Sequence, residues 1–121
     1  MLRTRLVLVA VLAGFLSGCG SVTVGRLPDP ASDDAVADVS DAFQKCLADA
    51  DSQLDDGKSN PMTVADAIQP RCAVQFAALQ GIRGQGLMPY DAHVRRDAMG
   101  ASENYMITMY VLQRRNAKLG N

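Results

Sequence analysis

From Val36 to Leu112 the apolar residues of this chain return at steps of three and four, the spacing that lines up one face of an α-helix. The first run, Val36, Val39, Phe43, Cys46, Leu47, Ala50 and Leu54, forms one stripe. Asp33 and Asp34 stand at its start, where carboxylates cap free amides and oppose the positive end of the helix dipole. This helix is expected to stop between Asp55 and Gly57. Asn60-Pro61 supplies a second start: the residue before proline is pushed into an extended conformation suited to an N-cap, and proline suits the first helical position. Val64, Ile68, Cys72, Phe76 and Leu79 then repeat on one face until Gly81, Gly84 and Gly86 end the run. Pro70 lacks the amide that would bond Asp66, so it is expected to kink or split this helix. A third helical region opens at Pro89-Tyr90, with Val94, Ala98, Ala101, Tyr105, Met109 and Leu112 at helical spacing and Arg114, Arg115 and Lys118 at its negative C-terminal end. The segment from Tyr105 to Leu112 also fits a buried strand, but no second convincing strand exists to pair with it. The pattern predicts an all-α domain, a small bundle of three helices, or four if Pro70 or Gly100 divides one.

The N-terminal segment has a different character. Arg3 and Arg5 precede an unbroken apolar run from Leu6 to Leu16, closed by the small pair Ser17-Gly18, which is the layout of a signal peptide. The run is too short for a permanent span, which needs roughly 20 apolar residues. Leu16, Ser17, Gly18 and Cys19 together resemble the lipobox of bacterial lipoproteins at all four positions, a likeness confined to the beginning of the chain. The resemblance implies that residues 1–18 are a removable signal and that the Cys19 thiol carries diacylglycerol, with the freed amine often bearing a further acyl chain such as palmitate. Two or three acyl chains anchor stably, because each buried methylene contributes about 0.8 kcal/mol and one chain alone is marginal. Gly20 stands where an Asp in Gram-negative members of that family retains the protein at the inner membrane, which implies the outer membrane, facing the periplasm. Residues 19–32 contain Gly25, Pro28 and Pro30 and little periodic apolar content, so they read as a flexible tether with an rms reach of about 20 Å. Residues 33–121 form the helical domain.

Export places the other two cysteines, Cys46 and Cys72, where disulfides persist. Each lies on the apolar stripe of its own helix, and Ser59, in the turn between those helices, is midway between them in sequence. At a rise of about 1.5 Å per residue, an antiparallel hairpin folded at that turn brings both to one level. A Cys46 to Cys72 bridge within such a hairpin is therefore expected, contributing about 3.5 kcal/mol in the loop-entropy model. A redox role would favour a close Cys-x-x-Cys pair, and a single His93 far from both cysteines does not complete a zinc site.

Charge is segregated within a net formal charge of -1: nine Asp lie between Asp29 and Asp56, whereas the later chain carries Arg71, Arg83, Arg95, Arg96, Arg114, Arg115 and Lys118. This balance argues against nucleic acid and places an acidic first helix near basic later ones. Asp49, Asp51, Asp55 and Asp56 fail the calcium-loop register, since aligning Gly57 with its turn glycine puts Ser52 and Leu54 at ligand positions. They read as a solvated helix end. The glycines from Gly81 to Gly86 follow a helix and lack the spacing of phosphate loops. Met99, Met106 and Met109 are expected to fill core gaps, and no nucleophile is partnered to His93. The functional expectation is a non-catalytic, membrane-anchored docking or assembly module without cofactor or metal. Arg95, Arg96, Arg114 and Arg115 are its candidate surface for an envelope protein or anionic lipid headgroups. The alternative is a small-ligand or metal-binding periplasmic lipoprotein.

Overall fold

The computed structural model describes residues 25–120; residues 1–18, expected to be a signal, and Cys19 lie outside them. The described chain contains four α-helices: α1 (Asp33–Leu54), α2 (Pro61–Ile68), α3 (Ala73–Gly84) and α4 (Pro89–Leu119), with a 3-10 turn (Gln69–Cys72) joining α2 to α3. Pro70 is what divides the second helical region: with its amide missing, the backbone tightens to 3-10 geometry there before α3 resumes. Gly100 does not break α4, and the segment from Tyr105 to Leu112 is helical.

The helix ends follow from local chemistry. Ser32, rather than Asp33 or Asp34, caps α1, its hydroxyl accepting the Ala35 amide at 3.2 Å, while the two carboxylates occupy the first turn. Asn60 caps α2 by accepting the Met62 amide at 2.9 Å, with Pro61 at the first helical position. Between these helices Gly57 adopts a φ of 72°, a left-handed conformation that residues with a Cβ rarely take. The α3 helix runs through Gly81 and ends only at Gly84.

The core is built from the expected faces of α1 and of the region around Pro70: Phe43, Leu47 and Ala50 from α1, Val64, Ala65 and Ile68 from α2, then Cys72, Phe76 and Leu79. The rings of Phe43 and Phe76 lie 5.5 Å apart at a tilt of 49°, a favourable aromatic geometry. Helix α1 packs against α2, the 3-10 turn and α3, and α4 packs against α2 and α3. The sulfurs of Cys46 and Cys72 are 2.07 Å apart, bonding distance, with their Cα atoms 5.8 Å apart.

Helix α4 supplies Ile107 and Val111 to this core, with Met99 and Tyr110 packed beside them. The stripe singled out by sequence spacing is on the opposite side: Val94, Tyr105, Met109 and Leu112 are exposed. Met106 is exposed as well, so of the three methionines only Met99 serves the packing role expected of all three.

The last residues before α1 are held to the domain. The Asp29 carbonyl accepts a bond from the Gln85 side chain at 3.2 Å, and Pro30 lies against Gly86. Gly86 has a φ of 81°, and a Cβ there would sit 2.7 Å from the Pro30 nitrogen. The turn between α3 and α4 thus needs glycine for both its backbone conformation and this close approach.

Candidate functional site

The two arginine pairs proposed as a surface belong to one helix but not to one patch. Eighteen residues separate Arg96 from Arg114, so they lie about 27 Å apart along α4. Arg95 and Arg96 are exposed near its start. The Arg95 guanidinium donates to the Arg83 carbonyl at 3.4 Å, at the negative end of α3, and the Arg96 carbonyl accepts the Gln80 side-chain amide at 3.0 Å.

At the other end of α4 the arginines meet the acidic end of α1. Arg115 grips Asp55 through Nε and Nη2, with the shortest contact at 2.6 Å, and its Nη2 also donates to the Ser59 carbonyl at 2.8 Å. This fork ties the end of α1 and the following turn to α4, and it leaves the Asp55 side chain 1% exposed. The Arg115 hydrogen bonds hold the Asp55 carboxyl below its ordinary range and raise the guanidinium in return. Asp55 also accepts the Gly57 amide at 2.9 Å.

Asp51 is fully buried, its carboxylate accepts no hydrogen bond, and the Arg114 Nε lies 3.7 Å from Oδ2. A buried charge of this kind requires a compensating charge, and Arg114 supplies it across the α1/α4 contact. Two of the four aspartates read as a solvated helix end are therefore interior. The register contained the signal: Asp51 falls four residues after Leu47, on the same face as the core of α1. Asp56 remains exposed and accepts the Lys58 and Ser59 amides and the Ser59 hydroxyl, and the backbone bonds led by Ser59 hold its carboxyl at about 2. Asp51 and Asp55 of the acidic segment thus meet Arg114 and Arg115 of the basic one.

The inner side of α4 is unusually polar. Glu103 is buried and accepts the Gln69 side-chain amide at 2.9 Å, and Asn104 donates to Asp66 on α2. His93 lies near Asp97 one turn on, 3.2 Å apart and largely in solvent. Among the described residues no group of three His, Cys, Asp or Glu side chains converges on a point that could hold a metal ion. No helix there is long and apolar enough to cross a membrane.

Scans against protein-family models, curated proteins and solved structures return no match to this chain. Its function therefore rests on its own residues.

Proposed function

We propose that this chain is a membrane-anchored envelope lipoprotein that acts as a non-catalytic docking or assembly module. The observation that carries this reading is the sequence Leu16-Ser17-Gly18-Cys19 at the end of a short apolar segment, which resembles a lipobox and makes Cys19 the acylated residue. The Cys46 and Cys72 sulfurs at bonding distance support it, because such bridges persist in the oxidising compartments that exported proteins reach. The fold that accompanies this reading is a small bundle in which α1 and the helical segment after Asn60 form an antiparallel hairpin linked by that bridge. The location is the outer membrane, with the domain facing the periplasm.

In this role the tether does part of the binding. Restricting the domain to the membrane surface raises its effective concentration toward envelope partners, so modest contacts suffice. Arg95 and Arg96, exposed together at the start of α4, are the arginines best placed to meet anionic lipid headgroups or an acidic partner. Arg115 is occupied by Asp55 and Ser59 and holds the domain together.

Mass spectrometry of the mature N-terminus tests the reading directly: an acylated Cys19 as first residue is expected. A chain beginning elsewhere, or an unmodified Cys19, overturns it. Reversing Arg95 and Arg96 to Glu in the anchored protein is expected to lower crosslinked recovery of lipid or protein partners, and unchanged recovery removes that pair from the docking surface.

A further inference from the structure

Helix α4 is apolar on both sides: Ile107 and Val111 are buried in the core, and the outer side is apolar as well. Between Asp97 and Arg114 its one charged residue, Glu103, is buried, while the side turned away from the core carries Val94, Ala98, Ala101, Tyr105 and Leu112, all exposed. A surface helix ordinarily carries charged and polar residues on its outer side, and a contiguous exposed apolar face marks an interaction site. The stripe also has a period. Asp91, Val94, Ala98, Ala101, Tyr105, Thr108, Leu112 and Arg115 follow at alternating steps of three and four, the 3.5-residue repeat that keeps one seam facing a partner helix. Thr108, half-buried, fits the seam because its hydroxyl is satisfied by the Asn104 carbonyl at 2.8 Å.

We propose that this seam is the interface of a twofold dimer in which the α4 helices of two copies of the chain lie antiparallel, centred at the level of Glu103. The pairing it produces is complementary at every layer. Ala101 meets Tyr105 of the second copy, Ala98 meets Thr108, and Val94 meets Leu112, so that a smaller side chain faces a larger one each time. The only two charged positions of the seam, Asp91 and Arg115, are opposite in sign and equidistant from the centre, so each acid meets the other copy's guanidinium. Arg115 has a group to offer, since its bonds to Asp55 and Ser59 come from Nε and Nη2 alone. A parallel pairing would instead set Asp91 against Asp91, Arg115 against Arg115 and tyrosine against tyrosine. The opposed macrodipoles favour the antiparallel sense as well. A bilayer in the same place would use neither the 3.5-residue period nor the paired charges. The proposal holds whether or not Cys19 is acylated.

Full-length chain in mild detergent should sediment as a dimer. Ala101→Glu, which sets a charge at the seam centre, should raise the dimer dissociation constant by about a hundredfold, and Asp91→Arg should raise it by about tenfold. Both variants alter exposed residues, and retained helicity and an intact Cys46 to Cys72 bridge will show that they fold. Orientation is read from engineered cysteines: Ala98→Cys with Thr108→Cys in one chain should oxidise to a covalent dimer, while either substitution alone should not. A monomeric wild type overturns the proposal, as does a monomer that binds lipid vesicles through this face, or crosslinking by the single cysteines, which would indicate parallel helices.

Discussion

In α1 the residues that repeat at helical spacing face the core; in α4 a stripe of equal regularity faces solvent. The two helices differ in what their other faces carry. Opposite its stripe α1 presents Asp, Gln and Lys, so burial of Phe43 and Leu47 is the only way to remove apolar surface from water. Helix α4 has two apolar stripes. The inner one, Met99, Ile107 and Val111, is shorter and interrupted by Glu103, whose carboxylate is satisfied by Gln69. Regular spacing thus identifies a face that avoids water without identifying the neighbour that covers it.

Substitutions can break or sharpen that contrast. The largest effect is expected in α1: Phe43→Ala should destabilise the domain by about 3–5 kcal/mol in denaturant unfolding, since it empties a fully packed site and removes the contact with Phe76. A loss below about 1 kcal/mol would show that the core tolerates collapse there.

Next is the covalent link between α1 and the 3-10 turn. Replacing Cys46 and Cys72 together with Ala should cost about 3 kcal/mol, chiefly by freeing the unfolded chain. Unchanged stability would mean that α1 is held by packing alone.

The ion pair that joins the two helices comes third. Asp55→Asn should lower Tm by several degrees because it weakens the fork with Arg115. Its pH signature has a definite sign. Folding depresses the carboxyls of Asp55 and Asp56 below 3.8, so their contribution is present above that value and is lost as pH falls through the folded values, about 2 for Asp56. An acid titration of stability should therefore steepen below pH 3.8 in the wild type and flatten in Asp55→Asn; parallel curves would remove Asp55 from this role.

The smallest effect belongs to the outer stripe of α4. Tyr105→Ser, at a side chain 69% exposed, should leave the stability of the monomeric fold within about 0.5 kcal/mol, in contrast to Phe43→Ala. A loss comparable to that of Phe43→Ala would erase the difference between the two stripes.

Much of this architecture was legible because it depends on local chemistry. Asn60-Pro61 announces a helix start and Pro70 a break, each from residues close in sequence, and the equal spacing of Cys46 and Cys72 from the turn points to their pairing across 26 residues. What escaped depends on residues far apart. Asp51 and Asp55 look like surface acids until Arg114 and Arg115, some sixty positions later, come to rest against them. The outward direction of Tyr105 and Leu112 was hidden for the same reason, since the neighbours that favour Ile107 and Val111 lie on α2 and α3. The arginines were legible as a basic group, but the division between exposed Arg95 and occupied Arg115 was not.

The contact of Pro30 with Gly86 would have a mechanical meaning in the lipid-anchored chain proposed above. Because Asp29 and Pro30 contact the turn between α3 and α4, tension on such an anchor would reach the beginning of α4, a helix about 45 Å long. Two copies joined antiparallel along α4 would carry their moorings at opposite ends of the paired helices, and anchors of equal length would then hold the pair level with the membrane.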